Sequence, residues 1–199
     1  MASAPAASTA PVVTAPETVR GPSLLGVGVV VWLSSELMFF AGLFAAYFTL
    51  RGANTTWPPA GVELATARTA GATAVLVGSS FTMHLAVKAS EHDDRAGAVR
   101  WLVATMALGL VFLSNQALEY SELSFSISTH AYGSIFYLMT GFHGLHVIGG
   151  VVFMATVVGV IAGRSSRAPA GQIVMVCAYY WHFVDVVWVA MFSTIYLLR

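Results

Sequence analysis

The chain has 199 residues, of which 57% are hydrophobic and only 9% are charged. Soluble domains carry roughly 25% charged residues, so this chain has too few to cover a water-soluble globule. Nine basic residues balance nine acidic ones, and the formal net charge is zero. This balance argues against nucleic acid as a partner, because nucleic-acid-binding proteins carry a basic surface. The composition therefore predicts a protein whose surface is covered by lipid or by partner proteins.

The first 23 residues are rich in Ala, Pro, Ser and Thr, which predicts an extended, weakly structured tail. A bilayer core of about 30 Å requires a helix of roughly 20 apolar residues, and five later segments reach that length. They cover about residues 24–50, 66–89, 98–118, 132–162 and 172–198. These runs are much longer than the strands of a membrane barrel, which have ~10 residues. The sequence therefore predicts an all-α bundle of five transmembrane helices.

The connections between these segments are polar or rich in helix-breaking residues. The first contains RGANTTWPPAG, and the second contains the charge run EHDDR. Lys and Arg concentrate on the cytoplasmic side of membrane proteins, and one side of this chain would carry six of them against three on the other. The six are Arg20, Lys88, Arg95, Arg100, Arg164 and Arg167. The N-terminus is therefore expected in the cytoplasm and the C-terminus on the opposite side.

Ionisable side chains interrupt three of the predicted helices near their middles. Glu36 lies in the first helix, His143 and His146 lie in the fourth, and His182 and Asp185 lie in the fifth. A charged side chain at the bilayer centre costs on the order of 2.5–3.5 kcal/mol, so such groups are kept where they are paired or functional. We expect these five side chains to form a buried, hydrogen-bonded polar network that locks the packing of the bundle.

Three functional interpretations stand beside this structural one. Histidines together with Glu36 or Asp185 are suitable ligands for a metal ion. A haem would need axial histidines on facing helices; His130 and His143 are thirteen residues apart, as in stacked-haem proteins, but no second helix repeats this spacing. Carboxylates and imidazoles at mid-membrane depth would also relay protons. The residue pattern alone favours the structural network and leaves the other three open.

Five strings that include these polar residues occur in order along the chain. They are SSELMFFAGLFAAYF (34–48), WPPAG (57–61), ALEYSE (117–122), YGSIFYLMTGFHGLHVIGG (132–150) and YYWHFVDVVW (179–188). Together they resemble subunit III of haem–copper cytochrome c oxidases, and the resemblance covers about residues 24–199. The strings GFHGLHV and WHFVDVVW place ionisable residues in apolar surroundings, which makes chance agreement very improbable. Five helices are typical of the short bacterial form of the family, since long members have seven.

The resemblance implies an accessory subunit, without a catalytic centre of its own, in a complex that reduces oxygen and translocates protons. In the family, haems and copper belong to subunits I and II, which are the expected partners together with membrane lipids. Glu36 matches a family carboxylate that faces subunit I near bound phospholipid. The implied role is to stabilise the catalytic core and to support proton uptake, so the metal and haem interpretations become much weaker. The implied location is the bacterial plasma membrane.

Several alternatives stay open at this point. The same fold serves quinol oxidases, although Glu at position 36 favours the cytochrome c type, and a free-standing channel or transporter is a further alternative. The short form lacks a two-helix arm that forms one wall of a lipid-filled cleft in long members, so a neighbouring subunit is expected to supply that wall. A larger respiratory supercomplex, which some five-helix relatives join, is also open as a partner.

Overall fold

The computed structural model describes residues 24–163 and 170–198, so the predicted tail and the connection at 164–169 lie outside the described residues. The helices are α1 Leu24–Ala53, α2 Thr66–Glu91, α3 Arg95–Glu122, α4 Ala131–Ala162 and α5 Ala170–Phe192, and α5 continues as a π-helical segment, Ser193–Leu197. All five are long and apolar enough to cross a membrane. The described part of the chain contains no strand. The predicted all-α bundle of five membrane helices is therefore confirmed.

Side-chain caps define the starts of two helices. The Asp94 carboxylate accepts a hydrogen bond from the backbone N–H of Gly97 at 2.8 Å, and α3 therefore begins at Arg95 rather than at the predicted residue 98. The imidazole Nδ1 of His130 accepts from the backbone N–H of Gly133 at 2.8 Å at the start of α4. Each cap satisfies a backbone donor that the first turn of a helix leaves without a partner.

The centre of the bundle is α5, which is packed against the other four helices. Its side chain Trp181 is fully buried and lies against glycines of two neighbours, Gly109 of α3 and Gly150 of α4. A Cβ atom added to Gly109 would lie 2.7 Å from Trp181 Cη2, and one added to Gly150 would lie 2.8 Å from Trp181 Cε3. Small residues at these two positions therefore allow three helices to approach one another closely.

Two indole N–H groups connect α5 to α2. Trp181 donates to the hydroxyl of Ser79 at 2.8 Å, and Trp188 donates to the hydroxyl of Thr73 at 2.9 Å. The two tryptophans are seven residues apart and therefore lie on one face of α5, two turns from each other. Both large buried side chains thus have a hydrogen-bond partner in a region where water is scarce.

The first helix lies at the edge of the bundle, where it contacts α4 and α5. The Tyr47 hydroxyl donates to the Thr194 carbonyl oxygen at 3.1 Å, and Trp32 stacks on Tyr180 with ring centroids 5.4 Å apart. Large apolar side chains on its other side are exposed, among them Val31 and Met38. This surface of α1 is suited to contact with lipid tails or with another membrane protein.

Candidate functional site

Glu36 of α1 and His146 of α4 are in contact near the middle of both helices. Glu36 Oε2 lies 3.2 Å from His146 Nε2, and the two side chains are 25% and 17% exposed, respectively. His146 Nδ1 lies 2.7 Å from the carbonyl oxygen of Phe142. The ring of Phe40 meets the imidazole edge-on with centroids 5.0 Å apart. The pair is therefore half-enclosed by apolar groups at one side of the bundle.

The hydrogen bonds of His146 determine how many protons this pair holds. A carbonyl oxygen only accepts, so Nδ1 carries the hydrogen that it donates to Phe142. A neutral imidazole has one N–H, which here is on Nδ1. A hydrogen bond between Nε2 and Glu36 Oε2 therefore needs a second hydrogen, bound either to Nε2 or to the carboxyl group of Glu36. The contact therefore places one hydrogen between Nε2 and Oε2, in addition to the one on Nδ1, within the membrane-spanning part of the protein.

His143 lies apart from this pair. It is 1% exposed, stacks on Trp188 with centroids 4.9 Å apart, and meets the edge of Phe112 at 5.9 Å. Neither ring nitrogen has a hydrogen-bond partner among the residues that the structure describes. Its surroundings are aromatic, and it makes a packing contact between α3, α4 and α5.

A second polar group lies between α2 and α5. The hydroxyl of Ser80 donates to Asp185 Oδ2 and lies 2.9 Å from His182 Nδ1, from which it accepts. Asp185 is 5% exposed, and its other oxygen, Oδ1, has no partner among the described residues. Ser80, which we did not single out from the sequence, is the residue that joins the two predicted ones.

The five predicted polar residues therefore do not form one continuous network within the described ranges. Glu36 meets His146, His182 and Asp185 are joined through Ser80, and His143 is separate. The physical reason is the position of α5 between α2 and α4, because its polar side chains face α2 whereas His146 faces α1. In residues 24–163 and 170–198, no three His, Cys, Asp or Glu side chains come together as a ligand set for a metal ion.

A third polar group was missed by the analysis of the sequence. Glu119, which is 1% exposed, accepts at Oε2 from the hydroxyls of Tyr196 at 2.8 Å and Thr69 at 3.3 Å. Beside it, Arg68 and Glu122 form an ion pair of 2.7 Å. The group joins the start of α2, the end of α3 and the π-helical segment after α5. A π-helical turn shifts the register of the residues after it, and such turns are frequent at functional sites.

The helical spacing of buried residues in α3 indicates that Glu119 belongs to this helix and faces the interior. The predicted third helix ended at residue 118, which placed Glu119 in a solvated connection. The buried residues of α3 continue at helical spacing, however, through Gly109, Phe112 and Gln116 to Glu119. No Gly or Pro interrupts the chain between 118 and 122, so α3 continues to Glu122.

Four membrane-length helices around a central fifth, with polar groups at mid-depth, define a multi-pass α-helical membrane protein. Comparison with known proteins is more specific. The sequence profile of the family described as cytochrome c oxidase subunit III matches residues 15–199.

Curated relatives agree over most of the chain. A probable cytochrome c oxidase subunit 3 from Nocardia farcinica (strain IFM 10152) is 48% identical over 183 residues, which cover 89% of this chain and 90% of the relative. The protein of that name from Mycobacterium tuberculosis (strain ATCC 25618 / H37Rv) is 49% identical with the same coverage. A cytochrome c oxidase subunit 3 from Thermostichus vulcanus is 41% identical over 89% of each chain. The chain belongs to the cytochrome c oxidase subunit III family, as the five sequence strings predicted.

Proposed function

We propose that this chain is an accessory, non-catalytic subunit of a cytochrome c oxidase, where it stabilises the catalytic subunit and supports proton uptake. Membership of the family across residues 15–199 supports the assignment to an oxidase complex. The expected partners are subunits I and II, which would hold the haems and copper. The expected location is the bacterial plasma membrane, with the N-terminus in the cytoplasm.

The contact between Glu36 and His146 is the observation that supports a role in proton supply. It lies at mid-membrane depth, on the α1 and α4 side of the bundle, and both side chains are partly exposed there. A group that faces a neighbour and exchanges a proton is suited to buffer the proton concentration beside a proton-uptake path. In this role the chain binds no oxygen and transfers no electron.

A cleft near the proposed cytoplasmic end supports the expected contact with phospholipid. It has a volume of about 530 Å³ and lies between the first turns of α1 and α5. Its walls are mostly apolar, with Val27 and Val30 on one side and Met175 on the other, and Glu91 and Gln172 lie at its rim. An acyl chain fits the apolar walls, and a headgroup would meet the polar rim.

Purification through an affinity tag on this chain, in mild detergent, tests the assignment. We expect an absorption spectrum with a-type haem bands and two larger membrane subunits in the same particle. The identity of those subunits also decides between cytochrome c and quinol as the electron donor. A colourless, monodisperse protein without partners would contradict the proposal and favour a free-standing channel or transporter.

The substitution Glu36→Gln tests the proton role. Gln keeps the size and the hydrogen-bonding capacity of the side chain but cannot ionise, so the pair loses its exchangeable acid. We expect sustained oxygen consumption to fall most at high pH, where protons in solution are scarcest, with unchanged haem absorption. Glu63→Gln is the matched control, because the same chemical change is made at an exposed residue outside both the contact and the cleft. Identical pH profiles for both variants would leave Glu36 with a packing role only.

A further inference from the structure

A small cavity opens between α2 and α5 on the outer surface of the bundle. It has a volume of about 260 Å³. We call it the α2–α5 pocket, and its lining residues are Val77, Ser80, His182, Asp185, Val186 and Val189. The pocket therefore combines the polar group described above with an apolar rim.

The pocket lies at the middle of the membrane-spanning part. Ser80 is ~21 Å along α2 and Asp185 is ~22 Å along α5 at a rise of 1.5 Å per residue. The two membrane-length helices have 26 and 28 residues, so both side chains are close to their midpoints. At that depth the surface of the bundle borders hydrocarbon, which offers no hydrogen-bond donor and excludes water.

One carboxylate oxygen of the pocket has no hydrogen-bond partner within the described part of the chain, although it lies at a depth from which water is excluded. Asp185 is almost completely buried, and Oδ1 has no hydrogen-bond partner among the described residues, whereas Oδ2 accepts from Ser80. Lipid tails cannot satisfy Oδ1, because they carry no N–H or O–H group. A donor from another polypeptide that reaches the same depth would satisfy it.

The rim of the pocket has the character of a surface that is covered by protein. Val77, Val186 and Val189 are all exposed around it. A desolvated polar contact surrounded by apolar side chains is typical of the centre of a protein–protein interface. Lipid would cover the apolar rim equally well, so the carboxylate at the base of the pocket is the feature that selects a protein partner.

We infer that the α2–α5 pocket is the docking site for a transmembrane helix of another subunit, and that this helix presents an N–H or O–H donor to Asp185. The inference rests on the proposed membership of an oxidase complex. It assigns the α2 and α5 face to protein contact, separately from the Glu36 and His146 face.

Photo-crosslinking in the purified complex tests the contact directly. A benzophenone side chain is introduced at Val186, which is 67% exposed beside the pocket, and at Val111 of α3, which is 54% exposed at similar depth, as a control. We expect the probe at Val186 to form an adduct with another chain of the complex, which mass spectrometry identifies. Adducts with lipid alone at Val186 would overturn the inference.

Substitutions of Asp185 test the donor. Asp185→Asn keeps an oxygen that accepts a hydrogen bond, whereas Asp185→Leu removes it. We expect retention of this chain on the complex during detergent washes to fall about tenfold for Asp185→Leu, the loss of one buried hydrogen bond, and to fall little for Asp185→Asn. Equal retention of the two variants would overturn the role of the carboxylate.

A further pair of variants covers the case in which Asp185→Leu fails to fold. Val186→Trp blocks the mouth of the pocket without changing its polar groups, and Val111→Trp makes the same change on α3. We expect only Val186→Trp to weaken retention, and equal retention would overturn the docking site. If the tagged chain purifies without partners, the proposed function itself fails. If the complex is intact but Val186 meets only lipid, this inference alone fails.

Discussion

At the scale of single residues, the most informative group is the buried carboxylate of Glu119. Two hydroxyl donors, Tyr196 and Thr69, reach its Oε2 from different segments. A buried carboxylate is stable only when donors replace its lost hydration. The group therefore functions as a clamp that joins the start of α2, the end of α3 and the segment after α5.

We predict that Tyr196→Phe destabilises this end of the bundle. The variant keeps the aromatic ring but removes the hydroxyl that donates to Glu119 at 2.8 Å. The hydroxyl of Thr69 is then the remaining donor to Oε2 among the described residues. The expected cost is about 1–3 kcal/mol, measured as a lower temperature at which this chain is lost from the purified complex. Tyr179→Phe is the control, because that ring is largely exposed. Equal melting temperatures for the two variants would contradict the clamp.

From the sequence, the ionisable residues at mid-membrane depth were expected to have polar partners. The expectation was one network of five residues, and within that set Glu36 and His146 are in contact, with both side chains partly exposed. His143 differs because its neighbours are rings of α3 and α5, and no spacing along α4 reveals which helix faces it. The bridging role of Ser80 was also invisible, since serine is common in membrane helices.

At the scale of helices, the close packing of α3 and α4 against α5 depends on two glycines that face Trp181. Trp181 occupies the space that side chains at Gly109 and Gly150 would need. The long apolar runs were enough to predict five helices. They could not predict the ends of α3, which depend on a cap and on a continued buried stripe, or the π-helical segment, which depends on tertiary contacts of Tyr196.

We predict that Gly150→Ala disrupts the packing of α4 against α5. The added Cβ would lie 2.8 Å from two ring atoms of Trp181, and the ring is held by its bond to Ser79. Overpacking of this kind costs about 1–3 kcal/mol. Gly144→Ala is a matched control on the same helix, because its Cβ would meet nothing within 4 Å. Thermal loss of this chain from the complex should occur earlier for Gly150→Ala only, and equal behaviour would refute the close contact.

At the scale of the whole molecule, the polar groups share one depth but face different directions. The Glu36 and His146 pair lies between α1 and α4, whereas Ser80, His182 and Asp185 lie between α2 and α5. Depth was predictable from position along each helix. Direction was not, because it depends on the order of helices around α5. The bundle therefore presents two distinct polar surfaces within the membrane.

We predict that the connection between α1 and α2 is outside the cytoplasm and that the connection between α2 and α3 is inside. Cysteine substitutions at two exposed residues, Thr55→Cys and His92→Cys, report the two sides. A membrane-impermeant maleimide applied to intact cells should label only Thr55→Cys, and both after lysis. The native Cys177 is buried, so the wild-type chain is the control. Labelling of His92→Cys in intact cells would reverse the proposed orientation.

The central position of α5 has a consequence for biosynthesis. Helices α1 to α4 enter the membrane before α5 is translated. Helices α2 and α4 each contact α3 directly, whereas the contacts that Trp181 and Trp188 make with these three helices form only once α5 is present. Glu36 and His146, together with the rings of Phe39 and Phe142, connect α1 to α4 without α5. The four earlier helices can therefore pack on one another first, and the bundle is complete only after α5 has been inserted.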